Sequence, residues 1–274
     1  MLRSPVARPS LARAVNVDAT TSLARAAEAL ASPPRFLLAS SIAVYGSRNP
    51  HHTTELLSAD TPLAPSDIYG AHKAEAERVV RSSGLDWLIL RLGGVLSPNM
   101  GISPGLDTVY FQAAVPVDNR VQMVDVRDVA LAFARATTSD VVREVLLIGG
   151  DESHRLLWGD LAPSMAAATG LVGGVPPGRK GNPDSDIDWF ATDWMDTTRA
   201  EQVLSFQHHS FPDVLAETRA NYGWRRCPLR LVAPAAREFL RLRSPYRHRP
   251  GTYADPWGVF REKWGPPEPD VVRT

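Results

Sequence analysis

The stretch "SDIYGAHKAEAERVV", residues 66–80, places Tyr69 four positions before Lys73. On a helix, residues at i and i+4 share a face, so the ammonium reaches the neighbourhood of the phenol oxygen. A free phenol has a pKa of about 10 and keeps its proton at neutral pH; a nearby cation favours phenolate and brings the group into range as an acid or base. Ser41, in "LLASSIAVYG", adds a hydroxyl able to hold a substrate carbonyl or alcohol if the backbone delivers it to the same place. Together the three suit proton transfer at an alcohol or carbonyl carbon. Tyr-x-x-x-Lys by itself is a common accident of sequence, so the surrounding elements must carry the case.

Those elements form a consistent order. Phe36, Leu37 and Leu38 make a short apolar run between Pro33-Pro34 and small residues, the pattern of a buried parallel strand. Ser41 falls at its carboxyl end, where a doubly wound sheet opens onto its ligand crevice. Residues 47–66, rich in Pro, Ser, Thr, His and Asp, read as a loop, and Pro65-Ser66-Asp67 as a helix start. "WLILRL" predicts a second buried strand, and "GGVLSPNMGISPG" after it a substrate-facing loop. "VQMVDVRDVALAFARAT" predicts an extended stretch and then a helix from about Val126 to Thr137, and "VREVLLIGG" another strand. Leu11 to Leu30 reads as one or two helices. The alternation predicts an α/β fold with a parallel, partial doubly wound sheet.

Beyond Gly150 the pattern changes to a helix around Leu156–Thr169, a Gly/Pro-rich linker, an acidic aromatic stretch and a helix near Phe211–Tyr222. The expected organisation is a catalytic domain over 1–150, a smaller substrate lobe over 151–225 and an Arg- and Trp-rich extension over 226–274. Within the extension, residues 228–243 read as an amphipathic helix with Leu229, Val232, Ala236, Phe239 and Leu240 on one side. Packing against its own domain is the default for such a helix, and a membrane-surface or partner-binding role the alternative.

Composition narrows the classes. The 274 residues carry 30 basic and 30 acidic side chains, so no global field draws the chain to nucleic acid. The longest apolar run is interrupted by Arg91 and falls well short of the roughly 20 residues of a membrane span. The single Cys227 excludes an intramolecular disulfide framework and suits the cytoplasm. His51-His52 and His208-His209 lack a third ligand at metal spacing and read as loop residues.

Taken together, the segments resemble the extended short-chain dehydrogenase/reductases, the NAD-dependent epimerase/dehydratase family. "ASSIAVYG" is similar to that family's "SSxxVYG" strand end and "YGAHKAEAE" to its "YGxSKxxxE" helix, including Glu77. "VNVDATTSLARAAEA" is similar to "NVxGTxxLLEAA", "LILRLGGVLSP" to "LRxxNVYGP", and "VQMVDVRDVALAFARA" to "FVHVDDVARA". The resemblance covers about Asn16 to Trp224 and implies a Rossmann-like fold, an NAD or NADP cofactor, a small-molecule substrate and compatibility with a homodimer. It assigns Ser41 to orient the reacting oxygen, Tyr69 to act as general acid/base, and Lys73 to lower the tyrosine pKa and bind the nicotinamide ribose. Asn16, Ser40 and the backbone at Gly93 would approach the cofactor, with Ser41 and Gly94 facing the substrate.

Two departures qualify this expectation. A dinucleotide site needs a Gly-rich turn at a helix N-terminus to receive the pyrophosphate, and none of the glycine clusters in these residues has that spacing. By resemblance, roughly 70 to 80 residues that the family carries ahead of the first matching helix, about two βα units and part of a third, are not among those here, which suggests a shortened form of a longer enzyme. The nucleotide-sugar branch has an asparagine where Gly94 stands, so a nucleotide sugar is not favoured over a small carbonyl compound or apolar alcohol. The leading reading is an NAD(P)-dependent oxidoreductase or epimerase/dehydratase; the alternative is a catalytically silent binding or regulatory protein on the same scaffold.

Overall fold

The computed structural model describes residues 6–98 and 105–267. The chain opens with α1 (Pro9–Arg13), a π-helical turn (Ala14–Asp18) and α2 (Ala19–Glu28), which run on as one helix. Strand β1 (Phe36–Ser41) follows and passes into a single 3-10 turn, Ile42–Tyr45. After the loop over residues 47–66, the helix carrying Tyr69 and Lys73 is α3 (Ile68–Arg81). Its start is fixed by Asp67, whose carboxylate accepts from the Tyr69 and Gly70 amides at 2.8 and 3.0 Å. Gly70 is required there by space: a Cβ would lie 2.4 Å from the Ala43 carbonyl oxygen, so only glycine lets α3 close onto the turn after β1.

Strand β2 (Trp87–Leu92) pairs parallel with β1, Phe36 opposite Trp87 and Ser41 opposite Leu92. Residues 94–96 then form β3 (Gly94–Leu96), so the first part of the segment expected to be a loop is a strand; residues 99–104 of it lie outside the described residues. Helix α4 (Leu106–Ala114) leads to β4 (Arg120–Asp125), α5 (Val126–Ala136) and β5 (Glu144–Ile148). Strand β5 pairs parallel with β2, giving a three-stranded parallel sheet in the order β1-β2-β5. A second sheet has β4 at its centre, with β3 parallel and β6 (Arg155–Leu157) antiparallel. The helix expected around Leu156–Thr169 therefore begins only at α6 (Trp158–Thr169); its first residues complete a sheet edge instead.

The fold ends with α7 (Thr198–Leu204), α8 (Phe211–Tyr222), α9 (Arg226–Leu242) and α10 (Pro256–Trp264). The three spans expected from composition share their cores. Ala200, Leu204 and Phe206 pack with Leu88, Leu90 and Ile148 of the parallel sheet, and Met195 with Ile42 and Leu57. Tyr246, Ala254, Val259 and Phe260 pack with Ile68, Phe111, Ala114 and Val115. The C-terminal residues are thus part of the core beside α4, because Phe260 stacks on Phe111 at 5.2 Å and the Tyr246 hydroxyl donates to the Ala114 carbonyl at 2.5 Å.

Helix α9 is the exception. Only Ala233 is buried, with Leu229, Ala236 and Leu240 half-buried against the body, while Val232 and Phe239, expected on that same face, point to solvent. Among the described residues, no helix is long and apolar enough to cross a membrane.

Candidate active site

Ser41, Tyr69 and Lys73 come together at the carboxyl end of β1. Ser41 closes the strand, and its oxygen accepts from the Ala43 amide at 3.2 Å, which holds the side chain over the 3-10 turn. The Ser41 side chain lies close enough to the Tyr69 phenol to favour its ionised form. Lys73 lies one turn along α3 with its Nζ 5.8 Å from the Tyr69 ring centroid, and it donates to the Ala39 carbonyl at 2.8 Å. Ala39 is exposed on β1, the edge strand of the parallel sheet, so this bond occupies part of an open ladder.

Burial pushes the Tyr69 phenol above its ordinary value; the Ser41 side chain pulls it down and the Asp67 charge pushes it further up. Burial likewise holds the Lys73 ammonium below its ordinary value, with Glu77 acting in the opposite direction. The expected lowering of the phenol by Lys73 is not met in this arrangement, because the ammonium is aimed at a strand-edge carbonyl and desolvation dominates at the tyrosine. Asp67 is itself pushed up to about 6 by burial, the two amide bonds offsetting only part of the cost.

Beneath these groups lies a buried polar network. The Ser40 hydroxyl donates to Glu77 Oε1 at 2.5 Å, and Arg91 donates to both carboxylate oxygens of Glu77, at 2.9 and 2.6 Å. Arg91 also donates to the Tyr45 hydroxyl at 2.5 Å, and Tyr45 donates to the Ser58 carbonyl at 2.6 Å. Ser40, Glu77 and Arg91 are 1–2% exposed, so each charge is neutralised inside the protein. Strand β1, helix α3, strand β2 and the loop over residues 47–66 are thereby fixed to one another at Ser40, the neighbour of Ser41. Sequence reasoning placed Glu77 only by its motif and treated Arg91 as an interruption; the available signal was a guanidinium inside an otherwise apolar buried strand, which demands a partner.

The remaining expected residues lie around this centre. Asn16 sits in the π turn packed against α3, next to the Arg13–Glu75 ion pair of 2.6 Å. π turns inside helices recur at functional sites. The Ser40 hydroxyl is committed to Glu77 and points into the network. Gly93 directly follows Leu92, the register partner of Ser41, and so shares the site's end of the sheet. A Cβ at Gly93 would fall 2.6 Å from the Gln122 carbonyl oxygen, and Gly94 pairs with Met123 in the second sheet. Both glycines are therefore used by strand packing. His209 is not a free loop residue: its Nδ1 lies 2.6 Å from the buried carboxylate of Asp128. Among the described residues no group of three or more side chains is arranged to hold a metal.

On the other side, Tyr69 packs against the cluster of Ile68, Phe111, Tyr246, Val259 and Phe260, rimmed by Trp257 and Trp264. The Ile68 amide, at the first position of α3, donates to the Pro267 carbonyl at 2.7 Å. The C-terminal residues thus reach back to within one residue of the tyrosine.

Comparison with known proteins agrees with this architecture. A UDP-glucuronic acid 4-epimerase from Bacillus cereus, solved in complex with UDP-glucuronic acid and NAD, superposes with a TM-score of 0.57 at 20% identity, over 76% of this chain and 66% of that one. A short-chain dehydrogenase/reductase superfamily protein from Agrobacterium tumefaciens with bound NAD gives 0.58 at 22% identity, over 82% and 76%. A D-erythronate dehydrogenase from Cupriavidus necator is 35% identical over 95 residues, which span 33% of this chain and 26% of that protein. The chain therefore spans about a quarter of the length of that curated relative. The model of the NAD dependent epimerase/dehydratase family matches residues 3–149, more than half of the sequence. With the strand-end serine, the Tyr69–Lys73 helix and the parallel sheet in place, the chain belongs to the NAD dependent epimerase/dehydratase family.

Proposed function

We propose that this chain carries the proton-transfer site of an NAD(P)-dependent oxidoreductase acting at an alcohol or carbonyl carbon of a small molecule. The observation that supports this most is the placement of Ser41, at a parallel strand end, beside the Tyr69 phenol, with Lys73 on the same helical face. In the oxidising direction Tyr69 Oη takes the proton from the substrate hydroxyl; in the reducing direction it returns that proton to the carbonyl oxygen. Ser41 holds the substrate oxygen against Tyr69. Its bond to the Ala43 amide leaves its own proton for donation. A nicotinamide, when bound, supplies or accepts the hydride.

The residues present fit the nicotinamide–ribose end of such a cofactor. An ammonium has three N–H donors, and one of those on Lys73 is spent on the Ala39 carbonyl at the open strand edge. The others would face ribose hydroxyls, with Asn16 and the Gly93 backbone nearby and Ser40 confined to its main chain. Among the described residues, none of the glycine pairs 93–94, 149–150 and 173–174 leads from a strand into an α-helix, so no pyrophosphate cradle is assigned to these residues. Gly94 in place of asparagine, and the relative named D-erythronate dehydrogenase, favour a small alcohol over a nucleotide sugar.

Fluorescence titration of the native protein with NADH and NADPH tests the reading. Saturable binding that Lys73→Met weakens at least roughly tenfold, with unchanged melting, supports it. Absence of binding to either cofactor overturns it in favour of a silent scaffold.

A further inference from the structure

The C-terminal residues touch both segments that carry the candidate site. The indole N–H of Trp257, in the first turn of α10, is shared between Ser47 Oγ at 3.3 Å and the Trp189 carbonyl at 3.1 Å. Ser47 lies two residues past the 3-10 turn that follows Ser41. On the other side, the Pro267 carbonyl accepts the amide of Ile68, the residue before Tyr69, at 2.7 Å. Tyr69 and Trp257 pack against one buried cluster that includes Phe111 and Phe260, so aromatic side chains of the C-terminal residues occupy the space beside the tyrosine. Two cavities, of about 380 and 170 Å³, are lined mainly by α2 and the second half of α3, and neither is lined by Ser41, Tyr69 or Trp257.

Trp257 is held less firmly than the residues around it. Val259 and Phe260 are fully buried, and the chain ahead of α10 is pinned by Arg179, which donates to the carbonyls of Tyr246, Arg249, Pro250 and Tyr253. The Trp257 ring is half-buried, and one N–H divided between two acceptors more than 3.0 Å away makes a weak bond to each. Rotation about its own side-chain bonds therefore releases the indole while the Phe260 stack stays in place. Ser66 marks the closed arrangement as one that opening relieves. It sits between the two contact points: a Cβ on Gly46 would lie 3.3 Å from its amide nitrogen, and Ile68 is two residues on. Its hydroxyl is buried and, among the described residues, has no hydrogen-bond partner. A buried hydroxyl without a partner is costly, and water or a substrate oxygen admitted there satisfies it.

We infer that Trp257 is a gate at the candidate site, its indole closing the gap between the loop that leaves Ser41 and the segment around Trp189, and swinging out to let a small molecule reach Tyr69. The gate governs access to Tyr69 and is read without turnover, so its failure and that of the proposed reaction are separate results. The test is nitration of the full chain by tetranitromethane, with the rate at each tyrosine followed by peptide mass spectrometry. In the parent, Tyr69 should react more slowly than Tyr253, which is 45% exposed. Trp257→Ala should speed nitration of Tyr69 roughly tenfold, and Trp257→Phe, which keeps a ring but loses the shared N–H, severalfold. Tyr45, 3% exposed, should stay protected in all three proteins and so reports unfolding. Should Trp257→Ala expose Tyr45, the phenylalanine variant decides the case. Tyr69 reacting as fast as Tyr253 in the parent overturns the inference, and so does an unchanged Tyr69 rate in a variant that keeps Tyr45 protected.

Discussion

Arg91 and Glu77 form a doubly hydrogen-bonded ion pair, both side chains 1% exposed, tied through Ser40 to the strand end that carries Ser41. Arg91 is the penultimate residue of β2 and Glu77 lies on the buried face of α3, so the pair fixes the strand and the helix to each other. Removing one partner leaves an uncompensated buried charge. Glu77→Gln is therefore expected to cost about 3–5 kcal/mol of stability, and the double variant Glu77→Met with Arg91→Met to recover most of it. Urea unfolding of the three proteins measures this, and a Glu77→Gln loss below about 1 kcal/mol contradicts the pair's role.

Asp67 holds a charge in the protein interior at the start of the same helix. Its folded-state pKa, about 6, is raised from 3.8 by burial. A raised carboxylate contributes stability that is fully present below its unfolded value and is lost as pH rises through its folded value. Stability attributable to Asp67 thus falls between about pH 4 and pH 6 by roughly 3 kcal/mol. Asp67→Asn keeps an oxygen for the two capping bonds and removes the charge. Thermal melts should show this variant more stable than the parent at pH 8, with the gap closing by pH 4.

Much of this region is legible in the sequence because it is local. The strand ending at Ser41, the helix opened by Asp67 and the strand "WLILRL" follow from apolar runs, capping chemistry and punctuation by Pro and Gly. Long-range partners are not legible in this way. Nothing near Phe260 announces that it stacks on Phe111, and the C-terminal residues read as an extension until the stack and the Tyr246 bond to Ala114 are seen. The short strands β3 and β6 escaped because three residues carry no periodicity, and their conformation is imposed by β4 between them. At the candidate site, residue types singled out Ser41, Tyr69 and Lys73, but the direction of the Lys73 ammonium depends on the edge carbonyl of Ala39, which only the folded strand supplies.

The aromatic stack beside Tyr69 makes the C-terminal helix part of the site's support. Phe260 is fully buried between Phe111 and Trp264, with centroid separations of 5.2 and 5.4 Å. Phe260→Ala is expected to lower stability by about 3–5 kcal/mol. Hydrogen exchange should show the first turn of α3, at Ile68 and Tyr69, losing protection together with α10; protection retained at α3 contradicts this coupling.

The Ser41 side chain lowers the Tyr69 pKa, against the upward effect of burial. Ser41→Ala removes that effect, so the phenol rises further. The limb of the pH–rate profile that requires phenolate should move to higher pH, and kcat at neutral pH should fall by roughly 10- to 100-fold. An unchanged profile indicates that Ser41 serves only to cap the 3-10 turn.

Tyr69 is the residue assigned to move the proton. The most direct measurement of that role is steady-state turnover of the native enzyme and its Tyr69→Phe variant, followed by nicotinamide absorbance with a small alcohol or carbonyl substrate. Loss of the hydroxyl should lower kcat by roughly 10²- to 10⁴-fold while cofactor binding and the melting temperature stay near the parent values. A variant that turns over at the parent rate contradicts the assignment.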